Sequence, residues 1–196
     1  MAVNSAVEPP RIPPALYLVA VLPPEPVFSQ VWALKQEVQQ RTGSRNAVRL
    51  PPHITLIPPF REVPAAFEPR AVPALAAFAA AQGPFEVALD DFAWFGNRTL
   101  FVHVSQPEAI QAFQAGLSAF CASQLPEIPR EKRPFTPHMT LATRDLPPAL
   151  VPALRDDFAQ RHFSAAFAVH SFVLFRHNGH QWAPVQEFQL GHQPII

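Results

Sequence analysis

The chain contains the pentapeptide Pro52-His53-Ile54-Thr55-Leu56 and, 85 residues later, the closely similar Pro137-His138-Met139-Thr140-Leu141. In both, a histidine is followed two positions later by a threonine (an HxT motif), with proline before it and leucine after it. Residues i and i+2 of a β-strand lie on the same face of its sheet. Each pentapeptide therefore predicts a strand with the histidine and threonine on one face and the intervening apolar residues pointing into a core.

The sequence around the two pentapeptides repeats one order of elements. The apolar runs 16–21 and 100–104 predict buried strands, and each is followed by a helical pattern and then by a strand with an HxT motif, at 50–57 and 138–143. The distance from the start of the run to the histidine is 37 residues in the first half and 38 in the second. This favours a duplicated strand–helix–strand unit. The apolar faces of the two helices are Val27, Val31, Leu34 and Val38, and Ile110, Phe113, Leu117 and Phe120.

The remaining segments complete an α+β prediction. Helices are predicted at 69–82 and 148–161, and a strand at 85–94. A C-terminal hairpin, 172–176 with 181–190, encloses Asn178-Gly179, a pair typical of type I′ turns. The expected architecture is one bilobal domain over residues 15–190, with a tail at 1–14 and another at 191–196. Two antiparallel sheets would line a central groove, with the helices outside.

Composition excludes several other classes. The 196 residues include 15 basic and 15 acidic side chains, so net charge gives no general attraction to nucleic acid or membranes. The six glycines form neither GxGxxG nor GxxxxGK, which excludes the glycine-rich phosphate loops. The single cysteine, Cys121, lies in an apolar helical pattern and is expected to be an inert core thiol. Residues 1–14 lack the pattern of a secretory signal and no apolar run is long enough to span a membrane, so a cytoplasmic protein is expected.

Two histidines on opposite sides of a substrate can carry out phosphodiester transfer without a metal. A neutral imidazole takes a proton from the attacking water or hydroxyl, and a protonated imidazole gives one to the leaving oxygen. His53 and His138 are the candidates, with either one as the base. The hydroxyls of Thr55 and Thr140 can hydrogen-bond the non-bridging phosphate oxygens. The sequence thus predicts a site that needs neither metal nor cofactor.

Basic residues cluster around both HxT strands although the net charge is zero. Eight of the 15 basic side chains fall within residues 41–61 and 128–144, against one acid, Glu131. Strand alternation would place Arg144 on the face of the second HxT motif, which makes it the best candidate for a phosphate contact. The alternative for each of these arginines is a solvated surface position.

The paired HxT motifs resemble those of the 2H (two-histidine) phosphoesterase superfamily. The stretch Arg133-Pro-Phe-Thr-Pro-His-Met-Thr-Leu-Ala142 is especially similar to the 2′-5′ RNA ligase-like branch of that superfamily. The resemblance covers about residues 16–190 and implies a bilobal fold whose histidines and threonines line a central groove. It implies metal-free opening of RNA 2′,3′-cyclic phosphates to 2′-phosphates, with 2′-5′ ligation or cleavage in some members. Relatives often carry an arginine five residues after the second histidine, where this chain has Thr143 and, one residue later, Arg144.

Three functions stay open at this point. The first is a phosphodiesterase acting on RNA ends with a 2′,3′-cyclic phosphate. The second is the same chemistry on a small substrate such as a cyclic nucleotide, an ADP-ribose cyclic phosphate or a 2′-5′ oligonucleotide. The third is a non-catalytic module that binds RNA ends. A monomer is expected, because a bilobal chain can complete its groove alone.

Several other residues have two interpretations. Phe60, Phe135 and Tyr17 could stack on a base, but in a chain with 17 phenylalanines a core position is the favoured interpretation for each. His177 and His180 flank the Asn-Gly turn and could meet as metal ligands, although no carboxylate lies within that turn. The adjacent acids Asp90 and Asp91 would point to opposite faces of a regular strand, which predicts a bulge or a turn there. His103, in the 100–104 strand, is expected to have a packing role.

Overall fold

The computed structural model describes residues 13–191, so the predicted tails 1–14 and 191–196 lie almost entirely outside it. Among the residues described, no helix is both long and apolar enough to cross a membrane. The strands are β1 (Ala15–Val21), β2 (Ile54–Glu62), β3 (Phe85–Phe95), β4 (Thr99–Val104), β5 (His138–Ala142), β6 (Ser164–Val169), β7 (Ser171–His177) and β8 (Trp182–Gln189). The helices are α1 (Val27–Thr42), α2 (Pro64–Ala80), α3 (Glu108–Gln124) and α4 (Val151–Phe158), with short 3-10 helices at Arg45–Val48 and Pro148–Leu150.

All eight strands form one antiparallel sheet in the order β6-β3-β4-β5-β2-β1-β7-β8. The first half, β2-β1-β7-β8, mirrors the second half, β5-β4-β3-β6, and the repeated units are β1-α1-β2 and β4-α3-β5. The halves are joined at the centre by β2 and β5, whose register consists of a single pair, Ile54 with Met139. The two predicted sheets are thus the two halves of one sheet, and the α+β prediction is confirmed.

The two faces of the sheet differ in what covers them. One face packs against the helices and forms the main core, which includes Ile54, Leu56, Met139 and Leu141, all at most 1% exposed. The predicted alternation of the HxT strands is therefore confirmed. The opposite face carries a small apolar cluster in the first half of the sheet. Its members are Leu18, Ala20, Val173 and Phe175, with Leu22, Leu50 and Trp182 packed against them.

Two predicted boundaries involving proline are wrong. Strand β2 begins at Ile54 and runs through Pro58-Pro59 to Glu62, instead of ending before the prolines. The register with β1 shifts there, and such irregularities accommodate residues that lack an N–H donor. Helix α2 begins at Pro64, five residues before the predicted start at residue 69. The helix can contain Pro69 and Pro73 because both lie on its exposed face, where water can reach the carbonyls left without an N–H partner.

The C-terminal half contains two further differences. Strand β6 was not predicted, because its sequence Ser-Ala-Ala-Phe-Ala-Val has little alternation or β-propensity, and it is fixed by pairing with β3. The β7–β8 hairpin closes with His177 opposite Trp182 and the loop 178–181, and Asn178 lacks the positive φ that a type I′ turn at Asn178-Gly179 requires. In that loop the Asn178 side-chain oxygen accepts hydrogen bonds from the main-chain N–H groups of His180 and Gln181.

Three local expectations are confirmed. Helix α1 ends at Thr42 and is capped by Gly43, whose φ of 73° is the left-handed conformation that glycine adopts easily. Asp91 has a φ of 50° at a register shift between β3 and β4, as expected for a bulge. Cys121 is buried, and burial, with a smaller contribution from Glu127, raises the pKa of its thiol to about 12, so the thiolate form is disfavoured.

Candidate active site

The two HxT motifs meet at the centre of the sheet. Ile54 and Met139, their middle residues, are the pair that joins the two half-sheets. In an antiparallel pair, the residue after one partner lies opposite the residue before the other. The histidine of each motif therefore comes next to the threonine of the other motif. The side chains that the sequence predicts for acid–base catalysis and phosphate binding are thus brought together on the face opposite the helices: His53, Thr55, His138 and Thr140.

Both histidines are held in the same orientation by the main chain. Nδ1 of His53 lies 2.7 Å from the carbonyl oxygen of Pro51, and Nδ1 of His138 lies 2.7 Å from that of Thr136. Because a carbonyl oxygen only accepts, Nδ1 must carry the proton in each ring. Nε2 is then left as the proton acceptor of a neutral ring or the proton donor of a charged one. The arrangement suits a pair in which one ring accepts a proton and the other donates one.

The surroundings of the two histidines differ electrostatically. Burial, together with the positive charge of Lys35 and the ring of His138, lowers the pKa of His53 to about 4, against the opposing effect of the Pro51 carbonyl. Burial also lowers the pKa of His138, opposed by its hydrogen bond with the Thr136 carbonyl. Only His53 has the additional neighbouring charges. His53 is therefore the ring more strongly held in its neutral form.

Lys35 is a site residue that the sequence analysis missed. It lies within α1, is 2% exposed, and its Nζ donates a hydrogen bond of 3.0 Å to the carbonyl oxygen of Thr140. Burial lowers the pKa of its ammonium to about 7. The signal that could have revealed it is its spacing of four from Val31 and three from Val38, which puts a lysine in the apolar stripe of α1.

Two phenylalanines form an aromatic wall around the second histidine. The ring centroid of His138 lies 4.8 Å from that of Phe95 and 5.3 Å from that of Phe101, both in edge-to-face geometry. Phe95 remains 40% exposed. Neither residue was predicted for the site, since nothing local separates them from the chain's 17 phenylalanines.

The stacking candidates named from sequence are not part of this wall. Tyr17 and Phe60 are buried among the helices, where both pack against Phe67. Phe135 is partly buried and packs against the same core. By contrast, His103 is exposed beside His138 in the next strand, instead of packed in the interior.

The reason for placing Arg144 on the HxT face does not hold. Strand β5 ends at Ala142, and Arg144 lies beyond it, exposed and with a φ of 58°, so strand alternation cannot place its side chain. The next residue, Asp145, accepts hydrogen bonds from the Ser44 hydroxyl (2.6 Å) and from the main-chain N–H of Arg45 (2.9 Å). Arg144 thus sits in a turn fastened to the loop before β2, and its contact with phosphate stays a prediction.

Two of the other basic residues near the motifs are paired with acids. Arg41 binds Glu37 at 2.9 Å and Asp157 at 2.5 Å, in a cluster that links α1 to α4. Arg133 binds Glu131 at 2.7 Å. These two arginines are accounted for by structural ion pairs.

The structure also bears on the presence of a metal site, such as the one considered for His177 and His180. Within residues 13–191, no three or more His, Cys, Asp or Glu side chains are grouped so as to hold a metal ion. The ring of His177 packs edge-to-face on Trp182 at 5.3 Å, and its Nδ1 accepts a hydrogen bond from the Gly179 N–H at 3.2 Å.

The mirrored antiparallel sheet with paired HxT motifs at its centre is the fold of the 2H phosphoesterases. TT0787 of Thermus thermophilus superposes with a TM-score of 0.66 and 22% identity, over 91% of this chain and 100% of that chain. Escherichia coli LigT, solved in complex with 3′-AMP, superposes with a TM-score of 0.56 and 21% identity, over 91% of this chain and 98% of that chain. At these identities the similarity shows the fold alone.

Sequence comparison identifies the family. The family model of the 2′-5′ RNA ligase superfamily matches residues 23–181, and the chain belongs to this superfamily of 2H phosphoesterases. No curated protein sequence gives a significant match. The membership confirms the resemblance found from the HxT motifs and supports phosphodiester chemistry at RNA or nucleotide ends as the general activity.

Proposed function

We propose that the protein is a metal-independent phosphodiesterase that opens the 2′,3′-cyclic phosphate at RNA ends to a 2′-phosphate. The observation that carries this proposal is the pair of Nδ1-anchored histidines, each beside the threonine of the other motif. The superfamily, and the 3′-AMP complex of E. coli LigT, support a nucleotide end as the substrate. If the 5′-hydroxyl of a second RNA end attacks the cyclic phosphate in place of water, the same groups would form a 2′-5′ linkage while the bond from phosphorus to O3′ breaks. A monomer is the proposed functional unit, because one chain supplies both motifs.

In the proposed reaction, water attacks the phosphorus of the cyclic phosphate while the bond from phosphorus to O3′ breaks. Nε2 of His53 takes a proton from the water, and Nε2–H of His138 gives a proton to O3′. The hydroxyls of Thr55 and Thr140 donate hydrogen bonds to the non-bridging oxygens and hold the phosphate in line. His53 is proposed as the base because its environment favours the neutral ring more strongly.

The aromatic wall beside His138 is the proposed contact for the nucleobase. Phe95 is partly exposed and lies within 4.3 Å of Phe101, measured between ring centroids. Aromatic faces stack on unpaired bases without requiring a particular sequence. A base on Phe95 would place the attached ribose phosphate near the HxT pair. Arg144 is retained as a proposed contact for the phosphate or its neighbour.

A small cyclic nucleotide is the second candidate substrate. The observation in its favour is that Arg41 and Arg133, two of the basic residues near the motifs, are neutralised by acids. Binding an extended strand depends on many free cations along its backbone. These two ion pairs reduce the positive charge available to an extended strand, which favours a single nucleotide or a short end.

The deciding experiment mixes the purified protein, in EDTA, with a short RNA ending in a 2′,3′-cyclic phosphate and resolves 2′- from 3′-phosphate products. We expect full conversion to the 2′-phosphate in EDTA. Loss of activity that added metal restores would contradict the metal-free mechanism. Turnover of a cyclic mononucleotide but not of RNA would establish the second candidate. RNA binding without turnover of either substrate would leave only a binding module.

The pH dependence of kcat/KM should be bell-shaped, with its optimum on the acidic side of neutrality. His53 must be unprotonated, which holds above its pKa of about 4. His138 must be protonated, which holds only below its own pKa, and burial lowers that pKa from the usual 6.5. The active fraction therefore peaks between these limits. Initial rates at low substrate over about pH 4 to 9, with circular dichroism as a folding control, would test this, and an optimum above neutrality would contradict it.

A further inference from the structure

Lys35 is a charged side chain buried in the core directly behind the second HxT motif. Lys35 and Ser44 are the two buried polar residues in the described part of the chain, and within residues 13–191 no carboxylate forms an ion pair with Lys35. Burying an ammonium without an acid destabilises a fold, and a methionine would fill similar space without that penalty. Packing alone does not account for a lysine here.

The contact that Lys35 makes is with the active-site strand itself. Its Nζ binds the main-chain carbonyl of Thr140, 105 residues away in the chain. Thr140 directly follows Met139, where the pairing of β2 with β5 ends. The ammonium thus fastens α1 to the HxT backbone at the point where the two half-sheets separate.

The charged and titratable groups around this point lie on several elements. His53 directly precedes β2, His138 lies on β5, and His103 lies beside it on β4. On the loop after β5, the carboxylate of Asp145 accepts hydrogen bonds from the loop before β2.

On α1 itself, Glu37 and Arg41 belong to the ion-pair cluster with Arg161 and Asp157. Lys35 is therefore the charge of α1 that acts on His53, and it opposes protonation of that ring.

We propose that Lys35 is a positioning residue of the HxT site. Its ammonium holds the Thr140 main chain so that the threonine hydroxyl faces the substrate, and its buried charge keeps His53 as the proton acceptor. The catalytic consequence rests on the proposed function. The effect of Lys35 on proton binding by His53 does not depend on the proposed function, because this effect is present in the protein without substrate.

The test replaces the ammonium by Lys35→Met and, as a second charge-free variant that keeps a polar end, Lys35→Gln. Proton binding to the His53 ring is followed by NMR titration of the substrate-free protein. We expect the His53 midpoint to move upward in both variants, towards the ordinary histidine value. The acidic limb of kcat/KM should move in the same direction, with a loss of about tenfold to a hundredfold at the optimum from mispositioning.

The matched control is Val31→Ala, one turn earlier on the same buried face of α1. It should lower the melting temperature without moving the His53 midpoint. Lys35→Arg, which retains the charge, should leave the midpoint close to that of the wild type. An unchanged His53 midpoint in both charge-free variants would overturn the proposal. Because that measurement needs no substrate, it decides the question even if the proposed RNA activity is absent.

Discussion

His53→Ala and His138→Ala should each lower kcat/KM for cyclic phosphate opening by about two to four orders of magnitude. Each change removes one proton transfer while leaving the sheet intact, since both rings lie on the face opposite the helices. The effects should differ in pH dependence. His53→Ala should abolish the acidic limb of the profile and His138→Ala the basic limb, if the two rings act as base and acid.

The measurement is steady-state kinetics over the full pH range, with His170→Ala as the control. His170 is an exposed histidine between β6 and β7, so its replacement should leave kcat/KM unchanged. A mild effect at both motif histidines would refute their catalytic assignment. Loss of the opposite limbs would reverse the assignment of base and acid and keep the pair.

Met139→Ala and Thr140→Ala, although adjacent, should have opposite consequences. Met139 is fully buried and forms the junction of the half-sheets with Ile54, so its truncation should lower the free energy of unfolding by about 2–5 kcal/mol. Thr140 is half-buried on the face opposite the helices. Its loss should change stability by about 1 kcal/mol or less, and should lower kcat/KM by about a hundredfold through the missing phosphate contact.

Urea unfolding and kcat/KM at the pH optimum separate these two effects. Ile54→Ala and Thr55→Ala provide the same contrast in the first motif, where Ile54 is also fully buried. A large stability loss at both threonines, without a specific loss of activity, would show that the hydroxyls are structural. Equal effects at Met139 and Thr140 would contradict the alternation on which the site depends.

The local sequence pattern was sufficient to predict side-chain direction within the two HxT strands, because that direction depends on only a few neighbouring residues. The alternation of His53, Ile54 and Thr55, and of the matching residues in the second motif, predicted which side chains enter the core and which lie on the opposite face. Burial of the apolar members confirms this, because side-chain direction in a strand has a period of two. The same local rule failed for Arg144, since the strand ends two residues before it and the chain turns there.

The sequence by itself determined the duplicated α+β units, the two HxT strands with their inward and outward faces, and membership of the 2H phosphoesterases. Only the tertiary structure decided the single Ile54–Met139 junction, the aromatic wall beside His138, and the approach of Lys35 to Thr140. The physical reason is the distance along the chain between the residues that interact. Periodicity and turn chemistry act over a few residues, whereas the Lys35 contact spans 105 residues and depends on how α1 packs against β5. Which phenylalanine or lysine enters the site is therefore set by packing across the whole fold.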